Sequence, residues 1–329
     1  MNAKYAWIIV PLDGSASAEK AIPFAIAIAR RAGSRIELVH VHDEGVLVAN
    51  APMMDSRWED DRATEMGRAI RALAERLARE TGLGITAVML RGPPAPSLVQ
   101  HATDHAADLI VMTTHGRSGF SHIWFGSVAE RVIHSATTPV LVVRANDDAG
   151  STVFEPLFRH VLLPIDREHS GAEAMQRALT LGTHGQTTYT LLTVVSSLPV
   201  LPPPFPSEGA LVGDPGFERR GADASALLER IAAPARIAGA ATDVRVVTCE
   251  RAAPTILGEA KSKIDLIVMP THQRSSFSRA LLGTVVDKVM RGATVPLLLF
   301  RASQAMEERP ANALRQPFAG AAGPDSGFA

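Results

Sequence analysis

A single cysteine, Cys249, in 329 residues excludes an intramolecular disulfide and any metal centre built from clustered thiolates. A reducing compartment fits that usage. No apolar run approaches the roughly 18 residues of a membrane-spanning helix. The opening stretch, Met1 to Val10, carries Lys4 and a short apolar run but lacks the basic region, apolar core and cleavage site of a secretory leader. A soluble, cytoplasmic protein is expected. An excess of one charge sign is also missing: 33 Lys and Arg oppose 34 Asp and Glu, so no global field draws the chain to nucleic acid or to an anionic membrane. Aromatic residues make up only 5%, which leaves few platforms for base stacking. No GxxxxGK[ST] sequence occurs, which excludes a P-loop phosphotransfer machine. Ser118, Ser121 and Ser127 lack the surroundings of a nucleophile elbow. His40, His42, His115 and His122 have no third clustered acid or cysteine in sequence, so no metal site is assigned.

What is present is an ordinary globular composition, 46% hydrophobic and 20% charged, in a chain long enough for two domains of about 150 residues each. The chain also repeats itself. Residues 111–145 align without gaps on residues 268–302, with 17 of 35 positions identical, and IIVPLDGS around Asp13 matches VLLPIDRE around Asp166. A period of this length means two copies of one domain. We place the copies at residues 1–147 and 158–302, with a tail at 303–329 whose Ala, Gly and Pro content predicts disorder.

In each copy, short β-branched runs alternate with longer helical patterns, the signature of βαβ units and a parallel sheet. Strands are expected near 6–11, 36–42, 85–90, 109–113 and 140–143. Apolar spacing predicts helices over 17–31, capped by Ser17, and over 62–79. Long connections near 43–61 and 196–221 could cover a site, and the first is expected to close over a ligand. The apolar segments PVLVV and PLLLF, each closing its copy, can form an interface between the halves.

After the strand 109–113 the chain reads TTHG, nine residues, then GSV opening a helix. Gly116 allows close backbone approach, while Gly126 and Ser127 stand where free N–H groups and the helix dipole favour an anion. This pattern resembles the ATP-binding motif of the universal stress protein family, Gly, two residues, Gly, nine residues, Gly-Ser or Gly-Thr. Thr113 replaces the leading glycine. The resemblance takes in PLDGS and LVHVHD and covers both halves up to about Ala302. It implies tandem doubly wound α/β domains, each a five-stranded parallel sheet in order 3-2-1-4-5, binding ATP with Mg2+. It assigns Asp13 and Val41 to the nucleoside, and Thr113, Gly116, Arg117, Gly126, Ser127 and Val128 to the phosphates.

The second copy keeps Asp166, Val194, Gly283 and Thr284 as weaker candidates, but has Pro270 in the place of Thr113 and Gln273 in the place of Gly116. It reads as a scaffold with little nucleotide affinity. The implied function is an ATP-binding stress-response regulator or interaction module, not an enzyme, since no catalytic base or metal-carboxylate set is identifiable. The alternatives are a nucleotide-independent interaction protein and a slow ATP hydrolase. The halves are expected to form an intramolecular pseudo-dimer, with a homodimer of tandems also open.

Overall fold

The computed structural model describes residues 5–43, 56–114, 126–144, 158–166, 168–183, 185–195, 215–261, 263–271 and 284–302. The first half runs β1 (Trp7–Pro11), α1 (Ala16–Glu19), α2 (Ile22–Ala32), β2 (Arg35–His42), α3 (Ser56–Thr81), β3 (Ile85–Arg91), α4 (Pro94–Asp104), β4 (Leu109–Thr113), α5 (Ser127–Ser135) and β5 (Val140–Val143). The second continues with β6 (His160–Pro164), α6 (Glu168–Leu181), β7 (Thr188–Val195), α7 (Pro215–Ile237), β8 (Ala241–Thr248), α8 (Ala252–Ala260), β9 (Leu266–Thr271), α9 (Thr284–Gly292) and β10 (Leu297–Arg301). No helix among the described residues is long and apolar enough to cross a membrane.

The strands form one ten-stranded sheet in the order β3-β2-β1-β4-β5-β10-β9-β6-β7-β8. Each half therefore has the expected 3-2-1-4-5 order, with parallel pairing throughout. The halves meet where β5 and β10 pair antiparallel, Leu297 opposite Val142, Leu298 opposite Leu141 and Leu299 opposite Val140. Leu141 and Leu298 occupy the same position of the repeat, so the register is symmetric about that pair. This is the self-complementary geometry of a twofold interface, made here within one chain.

Alternation along the strands sends successive side chains to opposite faces. Ile8, Val10, Leu109, Val111, Leu141 and Leu298 enter one apolar cluster, with Ala25 and Ile28 of α2 and Ile70 of α3. Ile9, Ile110, Met112, Val140 and Leu299 enter the other, with Leu98 of α4, Val132 of α5 and Val289 of α9. Both clusters cross the β5–β10 seam. Burial on two faces explains why the central strands read as unbroken apolar runs.

Two expectations are corrected. The helix predicted over 17–31 is two helices, and the cap is Ser15, whose Oγ accepts the Ala18 N–H at 3.1 Å. Pro23 near the start of α2 has no N–H and its ring clashes with the carbonyl four residues back, so a continuous helix cannot pass through it. The connections are also shorter than predicted. α3 starts at Ser56, and α7 starts at Pro215, a residue suited to the first turn.

At the seam each half caps a helix of the other. Arg144 Nη2, just past β5, donates to Arg291 O at 3.0 Å and Met290 O at 3.5 Å at the end of α9. Arg301 Nη2, at the same repeat position, donates to His134 O at 2.9 Å and Ser135 O at 3.3 Å at the end of α5. A guanidinium at a helix C-terminus satisfies orphan carbonyls and opposes the dipole. Arg291 adds an ion pair to Glu130 across the seam at 3.4 Å.

Candidate functional site

The strand order puts β1 between β2 and β4, so the residues that follow these three strands gather at one carboxyl edge. That edge is where strand connections diverge, the usual ligand crevice of an open α/β sheet. Asp13 lies two residues beyond β1 and is half-buried; its Oδ1 accepts the Ser15 N–H at 2.9 Å. Ser15 in turn caps α1, so carboxylate, turn and helix are held as one unit. Gly14 between them has φ +83°, a left-handed conformation that favours glycine, and a Cβ there would stand 2.7 Å from Met66 Cε of α3. Val41, in β2, is half-buried and packs against the second apolar cluster.

The segment before Asp13 is tied to β2 twice: Leu12 N donates to Val39 O at 2.8 Å and His40 Nδ1 donates to Leu12 O at 2.8 Å. His40 therefore has a backbone-holding role, which also fixes its tautomer.

On the other side of the edge, Thr113 ends β4 and is 7% exposed. The next residue, Thr114, is the structural hinge of the site and was not singled out by the sequence. Its N–H donates to Val143 O at 3.1 Å, and its carbonyl accepts the Gly126 N–H at 2.6 Å. The end of β4 and the start of α5 are thus held together at Thr114. Gly126 is the N-cap of α5, in extended conformation with no side-chain cap. Ser127 and Val128, the first helical residues, are exposed. The first-turn N–H groups face the carboxyl edge with no N-cap side chain competing for them, the condition for anion binding at a helix start. Gly116 and Arg117 lie outside the described residues.

The second half repeats this edge with differences. Asp166 follows β6 and is exposed, Val194 is a half-buried residue of β7, and Thr284 opens α9, exposed. Thr193 Oγ1 donates to Ile165 O at 2.8 Å, the task His40 performs in the first half. Pro270 lies within β9 and is buried, and Thr271 Oγ1 donates to Phe300 O at 3.1 Å. Gly283 and Gln273 lie outside the described residues. Among the described residues, no group of three His, Cys, Asp or Glu could hold a metal ion.

Comparison with known proteins agrees with this architecture. A universal stress protein of Methanocaldococcus jannaschii is 37% identical over 142 residues, covering 43% of this chain and 82% of that protein. One from Mycobacterium bovis is 24% identical over 305 residues, covering 90% of this chain and 97% of its own, and so spans both halves. The crystal structure of a universal stress protein from Archaeoglobus fulgidus has the same fold, with TM-score 0.68 over 91% of this chain and 100% of that one at 18% identity. Residues 4–144 and 157–301 each match the model of the universal stress protein family, and with the duplicated 3-2-1-4-5 sheet that carries them the chain belongs to this family.

Proposed function

We propose that the first half binds one ATP with Mg2+, and that the chain acts as a nucleotide-gated stress-response regulator or interaction module, not as an enzyme. The chief support is the Gly126 N–H to Thr114 O hydrogen bond at 2.6 Å, which draws the α5 N-terminus to the end of β4 beside the Asp13 turn. Phosphate oxygens at that helix start would accept first-turn N–H groups and the Ser127 hydroxyl. Hydrogen bonds to charged groups contribute about 1.5–3 kcal/mol each, against about 0.3–1 for the dipole, so donors dominate affinity. Asp13 and Val41 would border the nucleoside, and Gly116 and Arg117 would complete the phosphate cradle.

Calorimetric titration of the whole chain with Mg-ATP is expected to give a stoichiometry near one. Asp13→Ala should weaken binding from the nucleoside side, and multiple-turnover phosphate release should stay at background. Two equal sites, or none, would overturn this assignment; sustained phosphate release would make the protein a hydrolase.

A further inference from the structure

The start of α5, which the ATP reading assigns to the phosphates, is built against the second half. β5 and β10 run antiparallel, so α5 and α9, the helices that lead into them, also run in opposite senses. The amino end of α5 therefore lies beside the carboxyl end of α9. Arg291, in the last turn of α9, reaches Glu130, in the first turn of α5, with Nη2 3.4 Å from Oε1. Arg144 Nη2 donates to the carbonyls of Met290 and Arg291, which brings a second guanidinium to the same end of α9. A bare helix carboxyl end is negative and would repel phosphate. Here it presents cations.

Glu130 is the group that makes a cation necessary. It stands three residues beyond Ser127, about 4.5 Å along the helix axis, and helical side chains lean toward the amino end. A carboxylate in the first turn stabilises an empty helix. The same charge repels an anion that arrives at that turn. Arg291 answers it with a guanidinium that forks between two carboxylates, Nε donating to both Asp287 oxygens at 3.1 Å and Nη2 to Glu130.

The local twofold supplies a control. Glu130 corresponds to Asp287 and Arg144 to Arg301, but Arg291 corresponds to His134. Helix ends are covered alike in both directions, α9 by Arg144 and α5 by Arg301. The reach into the other half's first turn is not shared alike. Asp287 is served by Arg291 from its own helix, and the first half has an imidazole at the repeat position of Arg291, too short to fork between two carboxylates. We infer that Arg291, from the second half, is a positioning residue of the ATP site in the first: it neutralises Glu130 and so opens the start of α5 to phosphate. This role rests on the ATP reading above, and it gives the second half a task that needs no nucleotide of its own.

Calorimetric titration of the full chain with Mg-ATP at low salt is expected to show Arg291→Ala binding about threefold or more weakly than wild type. Arg291→Lys should recover most of that loss, because it returns the charge. Glu130→Gln should bind at least as well as wild type, and adding Arg291→Ala to it should cost little further, since the charge that Arg291 answers is gone. In about 1 M salt, where charges are screened beyond about 3 Å, the effect of Arg291→Ala should shrink. Melting temperatures should stay nearly constant across the set, because an exposed ion pair contributes little to stability. Loss of the site is thereby separated from loss of the fold. Absence of Mg-ATP binding in wild type would overturn the ATP site itself and this role with it. Binding by wild type with equal affinity in Arg291→Ala, or an equal loss from Arg291→Ala in the Glu130→Gln background, would overturn the role of Arg291 alone.

Discussion

The two halves hold their backbones in the same places with different side chains. Ser34 Oγ donates to Tyr5 O in the first half, and Thr187 Oγ1 donates to Phe158 O at 2.6 Å in the second. His40 and Thr193 form another such pair, bonding Leu12 O and Ile165 O. Asp108 and Asp265 both anchor the start of the first strand of their half. Buried backbone groups must be satisfied in either copy, so duplication leaves the task in place while the residue drifts. At the sheet edges no such obligation exists. Across the alignment Gly14 stands against Arg167, Gly116 against Gln273, and Tyr5 against Phe158. The constraint on the repeated core is packing and hydrogen bonding; what differs at the edges is free to encode a ligand.

The largest effect expected from breaking this comparison is at the seam. Leu141 and Leu298 are fully buried and directly opposed, so Leu141→Ala and Leu298→Ala should each destabilise the chain by about 2–5 kcal/mol in urea titration. Symmetry predicts nearly equal losses, and their contact predicts that the double variant will depart from additivity by about 0.5–3 kcal/mol. A loss confined to one of the two leucines would show that the twofold is only geometric.

Next in size is the difference at the carboxyl edges. Gly116→Gln places in the first half the residue the second half has, and should weaken Mg-ATP by about a hundredfold, the loss of two charged-group hydrogen bonds at about 1.5 kcal/mol each. Gln273→Gly should restore a second, weaker calorimetric event, since Pro270 still stands in the place of Thr113. Unchanged affinity in Gly116→Gln would remove the physical basis of the asymmetry.

The smallest effect is in alkali. The chain has two tyrosines, one in each half. Burial pushes the Tyr5 phenol up to about 12, against the pull of Arg177, and burial also pushes Tyr189 upward. A folded-state value above the ordinary 10.0 means that the unfolded chain ionises first. The stabilisation is therefore intact below pH 10 and is lost as pH rises toward about 12. Ultraviolet titration of phenolate should show both tyrosines ionising late, and Tyr5→Phe should remove the later of the two steps. A Tyr5 phenolate forming at the ordinary value while the chain is folded would contradict the burial described for it.

Duplication, the alternation of strands and helices, and the start of α5 at Gly126-Ser127 were all legible in residues 111–145 and 268–302, because period and apolar spacing are local properties of a chain. The family resemblance supplied the strand order, which spacing cannot, since connections of similar length are compatible with several orders. The break at Pro23 was legible in principle, but apolar spacing on both sides of it masked the lost hydrogen bond. Thr114 could not be found from sequence. Its role comes from two backbone groups, and any residue type supplies those.

The sequence alone determined that there are two copies, which elements each contains, and that the copies differ in the residues after their fourth strands, Gly116 against Gln273. Only tertiary structure decided that β5 and β10 join two sheets into one and that arginines from each half cap helices of the other. It also brought Glu130 and Arg291, 161 positions apart in the chain, together across the seam. The reason is physical: propensity and periodicity act over a few residues, whereas a seam or a cavity depends on which distant surfaces must be buried together, and that is settled only when the whole chain packs.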